Sequence, residues 1–311
     1  MKFPPSFSWH ETSQEDGKKY DPELVFQAGL KHHGISNTAF PIAHRSTMQP
    51  YKVPNDDIES VAVQVWDGVS EMSLYVHIPF CEQRCRFCEY TVVKNDRSYP
   101  QETMYFDALG REFVMYGNLI VPKDKKIVGF DIGGGTPSFV DVRHIKQVID
   151  SAVGCFGLSS DIDISIETTP KIAALDFKKM QELHDMGIRR ISMGIQTVNP
   201  ALLADVGRIA TSAQWNIEAA EHIYRAGFER FNVDLMYGFA RQSLESVEAT
   251  IRHAIALDPH YITLYRMRYK GTLLKSDAEN VSLEDVNRQV TLMKTILKEG
   301  GVYRQIWKKH F

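Results

Sequence analysis

Cysteine is scarce in this chain, four in 311 residues, and three of the four fall within eight positions. So few, so clustered, they do not make a disulfide framework. They fit a reducing compartment, and a cytoplasmic protein is expected. Long apolar runs are also missing: nothing approaches the roughly 18 residues that mark a membrane span. The opening Met1-Lys-Phe-Pro-Pro-Ser6 lacks the apolar stretch of a secretory signal. There is no basic excess either; the formal net charge of −3 gives no surface for nucleic acid. Internal repeats and low-complexity tracts are absent. What remains, 43% hydrophobic and 24% charged, is ordinary for a globular protein of one or two domains.

The three clustered cysteines are Cys81, Cys85 and Cys88, in Tyr75-Val-His-Ile-Pro-Phe-Cys-Glu-Gln-Arg-Cys-Arg-Phe-Cys88. Three thiolates on one short loop can hold three irons of a 4Fe–4S cluster and leave the fourth open to another ligand. Spacing alone also admits a Cys3His zinc site completed by His77. Cys155 stands apart in an apolar helical pattern and reads as a buried small hydrophobe.

From about residue 72 the chain alternates strand-like and helix-like segments. Strands are expected at Ser73–Ile78, Ile127–Ile132, Asp163–Glu167, Arg190–Ile195, Phe231–Leu235 and Tyr261–Tyr265. Helical patterns cover Gln101–Tyr116, Val142–Cys155, Asp176–Met186, Ala213–Ala226 and Leu244–Ala256, two of them followed by Gly187 and Gly227. This rhythm implies a parallel α/β sheet with right-handed crossovers, either an open partial barrel or a doubly wound sheet. In both, reactive residues belong at the C-terminal ends of the strands. The cysteines, Gly133-Gly-Gly-Thr136, Glu167, Gln196 and Asp234 all fall there. Residues 1–71 read as a polar extension carrying His10, His32, His33 and His44, with a short helix near Glu23–Leu30. Residues 271–311 read as a tail, with a helix over Leu283–Leu297 and a strand over Val302–Trp307.

The order of these motifs resembles the radical SAM (S-adenosylmethionine) superfamily, and within it the HemN-like subgroup related to oxygen-independent coproporphyrinogen III oxidase. The resemblance runs through Tyr75-x-His-Ile-Pro-Phe-Cys-x3-Cys-x-Phe-Cys88, Gly133-Gly-Gly-Thr-Pro137, Glu167-Thr-Thr-Pro170, Arg190-Ile-Ser-Met-Gly-Ile-Gln196, Asn199, Gly207-Arg208 and Asn232-Val-Asp-Leu-Met-Tyr-Gly238. It covers residues 72–270, about two thirds of the chain. It implies a partial (β/α)6 TIM-like barrel, with Cys81, Cys85 and Cys88 binding a 4Fe–4S cluster. Tyr75, Phe87, Gly134, Gly135, Thr136, Glu167, Gln196, Arg208 and Asp234 would line one SAM site or two. It implies reductive cleavage of SAM to a 5′-deoxyadenosyl radical that takes hydrogen from a small-molecule substrate, with a flavodoxin- or ferredoxin-type electron donor. Substrate is expected near Tyr237, Arg266, Arg268 and Tyr269; Arg266 and Arg268 alternate, so they should share a face and suit an acidic substrate.

Departures bear on the reaction. Coproporphyrinogen oxidases usually follow the third ligand with Gly and a fourth Cys, where this chain has Glu89-Tyr90. Gly238-Phe-Ala-Arg-Gln242 replaces Gly-Leu-Pro-x-Gln. The missing cysteine tilts expectation toward SAM-dependent carbon transfer, methylation or cyclopropanation, over oxidative decarboxylation. A non-catalytic haem carrier is the third reading; the His-Asn-x-x-Tyr-Trp segment of such members does not occur in residues 1–311.

Overall fold

A computed structural model describes Glu23, Phe26 and residues 53–94, 101–120, 125–159, 161–208, 212–306 and 310–311. The expected helix near Glu23–Leu30 and the N-terminal histidines lie outside these residues, apart from Glu23 and Phe26. Six parallel strands form one sheet: β1 (Glu71–Ile78), β2 (Lys126–Gly134), β3 (Ile164–Thr168), β4 (Ile188–Gln196), β5 (Arg230–Tyr237) and β6 (Tyr261–Arg266). Their order in the sheet is their order in the chain. A doubly wound sheet would reverse direction part-way. The architecture is therefore the half-barrel, a partial TIM-like α/β fold. A two-residue parallel pairing of Phe80–Cys81 with Val93–Lys94 closes the cysteine loop.

The helices are α1 (Ile58–Trp66), α2 (Gln101–Ile120), α3 (Val142–Phe156), α4 (Pro170–Leu175), α5 (Phe177–Asp185), α6 (Pro200–Asp205), α7 (Ala213–Ala226), α8 (Leu244–Ala256) and α9 (Leu283–Lys298). Local chemistry sets their ends. Asp141 accepts from Arg143 N at the start of α3, and left-handed Gly157 stops it. Its buried residues Ile145, Val148, Ile149, Ala152 and Phe156 recur at helical spacing, so one stripe faces the sheet. Helix α1, inside the stretch read as an extension, went unanticipated, and so did the two short helices α4 and α6. The latter two each begin with proline behind a capping side chain, Thr169 and Asn199.

The strands alternate with period two, and the alternation is inside-out relative to a filled barrel. Phe130, Ile132, Ile166, Ile191, Met193, Phe231, Val233, Ile262 and Leu264 are all at most 2% exposed and form the core against the helices. The intervening residues on the concave wall are polar: Tyr75, Asp131, Ser165, Glu167, Arg190, Ser192, Asn232, Asp234, Thr263 and Tyr265. A wall of that composition is built to face water or a ligand.

One expectation fails. Val302–Ile306 is not a strand, and Val302 and Ile306 are 74% and 53% exposed. Gly301, at φ 68°, turns the chain there. The extended contact comes later, where Thr263 bridges His310 antiparallel and Ile262 exchanges both backbone bonds with Phe311. Of Val302–Ile306 only Tyr303 is buried, its hydroxyl donating to Pro259 O, so strand propensity gave way to a single anchored side chain.

Candidate active site

The cysteine loop leaves β1 through Pro79 and is pinned from several sides. His77 Nε2 meets Thr91 O at 3.0 Å, and Tyr105 donates to His77 O. Arg86 N donates to Val206 O (3.0 Å) and its guanidinium to Asp205 O (2.7 Å). Leu273 N donates to Arg86 O, at 2.9 Å. Elements far apart in sequence thus hold one loop in one shape.

Cys81 is buried, while Cys85 and Cys88 are half-buried. Burial pushes the Cys81 thiol up to about 11, although Thr136 Oγ1, 3.6 Å from its sulfur, pulls the other way. Arg208 Nε donates to Cys85 Sγ (3.4 Å), Nη1 donates to Gly194 O (2.6 Å), and the guanidinium lies 5.6 Å from the centre of the Phe87 ring. Phe87 in turn meets Phe239 edge-on. Arg208 therefore ties the cysteine loop to the end of β4 and brings positive charge to the sulfurs.

Beside the cysteines, β2 ends in glycines that cannot be otherwise. Gly134 sits at φ 124° and donates to Glu167 Oε2 at 3.1 Å. A Cβ on Gly135 would lie 2.7 Å from the carbonyl oxygens of Pro79 and Phe80. Gly135 N and Thr136 N donate to Ile78 O and Phe80 O, stitching this turn to the cysteine loop. Gln196 is held at φ 64°, outside the usual region for a side chain of its size, and its buried Oε1 has no hydrogen-bond partner among the described residues. Glu167 is the most perturbed acid: burial first, then the Asp234 charge, raise it to about 7. Tyr75 rises to about 12, chiefly by burial and then by Glu167.

The structure thus brings Phe87, Gly134, Gly135, Thr136, Glu167, Gln196, Arg208 and Asp234 to one end of the half-barrel, with Tyr75 at its rim. The residues expected around substrate divide. Tyr237 is raised by burial and lowered by Arg266, so these two are neighbours. Arg266 lies 5.5 Å from the Phe26 ring centre. Arg268 instead pairs with Glu89 at 3.3 Å, next to the third cysteine. The two arginines take different partners, since β6 ends at Arg266 and Arg268 lies beyond it. Tyr269 does not face the site; it is 1% exposed, and its hydroxyl donates to Gly238 O and accepts from Ala240 N. Tyr90 and Tyr265 were not singled out, yet both feel Glu167. The one signal for Tyr265 is its alternation with Tyr261 and Thr263.

These residues match the family described as "Radical SAM superfamily", over residues 75–254. The chain belongs to the radical SAM superfamily. Its curated relatives are of HemN and HemW type. It is 33% identical over 196 residues to "Heme chaperone HemW" of Buchnera aphidicola subsp. Schizaphis graminum, covering 63% of this chain and 50% of that protein. It is 30% identical over 245 residues to "Oxygen-independent coproporphyrinogen III oxidase" of Salmonella typhimurium, covering 77% and 52%. The chain spans about half the length of these relatives. Among solved structures, coproporphyrinogen III oxidase (HemN) from Escherichia coli, titled a radical SAM enzyme, superposes with a TM-score of 0.73 at 25% identity. That match covers 83% of this chain and 59% of the other.

Radical SAM proteins bind a 4Fe–4S cluster and SAM, and the donor set fits both. Among the described residues no three Cys, His, Asp or Glu side chains converge tightly enough for a single metal ion. The family match, rather than the donor geometry, is what favours a 4Fe–4S cluster over the Cys3His zinc reading. The partnerless Gln196 oxygen and the acid pair Glu167–Asp234 suit a cationic ligand with donor groups.

Proposed function

We propose that this chain is a HemN-like radical SAM oxidoreductase acting on a small-molecule substrate, with residues 72–270 as its catalytic unit. Cys81, Cys85 and Cys88 would hold the cluster. When bound, cluster and SAM supply one-electron sulfonium cleavage and the hydrogen abstraction that follows. The chain's own residues bind, orient and shield. Glu167 and the Gly134–Thr136 turn take the SAM ammonium, Arg208 its carboxylate, and Asp234 the ribose hydroxyls. Gln196 supplies its partnerless oxygen to a donor on the same ligand, and Tyr75 closes the rim. Phe87, between two ligands, keeps water from the cluster. Tyr237, Arg266 and Arg268 face the substrate. A flavodoxin- or ferredoxin-type donor would feed the cluster.

One observation carries this reading. Glu167 is a half-buried acid beside a second half-buried acid, raised to about 7, at a site whose glycines admit no side chain. Such an acid pair is costly until a cation arrives, and SAM carries both an ammonium and a sulfonium. The relatives named as oxidases favour oxidation over carbon transfer, which has no support among them. The HemW relatives favour a second reading, haem carriage.

The test is anaerobic reconstitution with iron and sulfide, reduction with dithionite, and quantification of methionine and 5′-deoxyadenosine, with Cys85→Ala beside it. Product from the wild type alone is expected. A well-formed cluster that yields no product, together with a stable Soret band on adding haem, sinks the enzyme and selects the carrier.

A further inference from the structure

A chain of hydrogen bonds crosses the concave wall from His310 to Asp234. His310 Nδ1 lies 3.0 Å from Thr263 Oγ1. Thr263 Oγ1 donates to Asn232 Oδ1 at 2.9 Å, and Asn232 Nδ2 donates to Asp234 Oδ1 at 2.8 Å. The direction follows from chemistry. A carboxylate only accepts, so Asn232 must turn its amide nitrogen to Asp234 and its oxygen to Thr263. The single threonine proton is then used, so Thr263 accepts from His310, whose proton sits on Nδ1. Every donor points toward Asp234, the arrangement in which successive bonds polarise one another. Thr263 is 2% and Asn232 8% exposed, so water competes little.

His310 is itself held in place. Ile262 and Phe311 exchange backbone bonds of 2.8 and 2.9 Å, and Phe311 is 2% exposed in the core. This clip lengthens the open edge of the sheet beside β6 and lies outside the family match at 75–254.

We infer that His310 is a positioning residue for the SAM site, orienting the Asp234 carboxylate through Thr263 and Asn232. The inference rests on the reading of Asp234 as a SAM ligand. It makes the segment after α9 part of the site rather than a tail.

The experiment uses reconstituted protein without reductant, so that SAM is not consumed, and measures SAM affinity by titration calorimetry beside the melting temperature. His310→Ala and Thr263→Val should each weaken SAM roughly three- to tenfold. His310→Asn, whose amide nitrogen can replace Nδ1–H, should restore most of the affinity. On an Asp234→Ala background, His310→Ala should add nothing. Thr263→Val breaks the same chain while keeping its shape, so it decides the matter if His310→Ala fails to fold. The relay is overturned if Asp234→Ala weakens SAM while Thr263→Val and His310→Ala change only the melting temperature. It is equally overturned if His310→Ala costs the same with or without Asp234. If Asp234→Ala binds SAM like the wild type, the reading of Asp234 fails and the relay falls with it.

Discussion

The two ends of the concave wall carry similar residues and treat charge in opposite ways. At the N-terminal ends of the strands, Arg190 pairs with Asp131 and lies 3.4 Å from Asp163, which Arg230 also meets at 2.6 Å. Ser165 adds a bond to Asp131. Two acids and two bases neutralise one another. At the C-terminal ends, Glu167 faces Asp234, and burial with like charge raises it to about 7. One end sets acid against base; the other sets acid against acid. Sheet geometry allows this because each inward position is an independent choice of residue, unconstrained by the apolar core on the outer face.

The comparison can be broken hardest at Gly135. Gly135→Ala places a carbon against two backbone carbonyls that cannot move without dragging the cysteine loop. The variant should reconstitute with little or no cluster, read as iron content and visible absorbance, while the far end of the wall keeps its fold by circular dichroism.

Glu167→Gln separates binding from stability. It should weaken SAM by roughly tenfold or more, since a charge-assisted bond is lost. It should also stabilise the ligand-free protein at pH 8. The sign follows from linkage. An acid raised from about 4.5 to about 7 on folding binds its proton more tightly in the folded state. Its stabilising contribution is full below pH 4.5 and is lost as pH rises through 7. At pH 8 the wild type bears a penalty of roughly 3 kcal/mol that the glutamine lacks. Denaturant titration at pH 5 and pH 8 checks this; equal effects at both would show that Glu167 is not the half-buried acid described.

At the other end, Arg190→Met should leave SAM affinity unchanged and cost about 1–2 kcal/mol of stability, because Asp131 and Asp163 lose a shared partner at partly exposed sites. A loss of SAM affinity would show that the two ends are coupled. The smallest effect is in pH. Wild-type SAM affinity should improve by a fewfold from pH 6.5 to 7.5 as Glu167 ionises, and Glu167→Gln should flatten that slope.

Much of this was legible in the sequence. All six strands and the five longer helices between them follow from periodicity, since alternating Ile-Ser-Met-Gly-Ile-Gln196 reads the same way in any context. The ends of strands carrying Gly134, Glu167, Gln196 and Asp234 were found because chemistry at such ends stands out against an apolar rhythm. Val302–Ile306 misled because propensity does not know whether a partner surface exists. Tyr269 misled because its register after β6 depends on Met267 turning inward. Arg266 and Arg268 take different partners because β6 ends between them.

The sequence by itself determined the cysteine spacing, the strands and the inward polar positions, because each depends on spacing within a few residues. Only the tertiary structure decided which charges meet a partner of opposite sign, since pairs such as Arg190–Asp131 and Arg230–Asp163 lie 59 and 67 positions apart in the chain. It alone paired Glu89 with Arg268, moved Glu167 to about 7, and brought His310 to the wall that holds Asp234. Those are consequences of burial and distance, which no local pattern encodes.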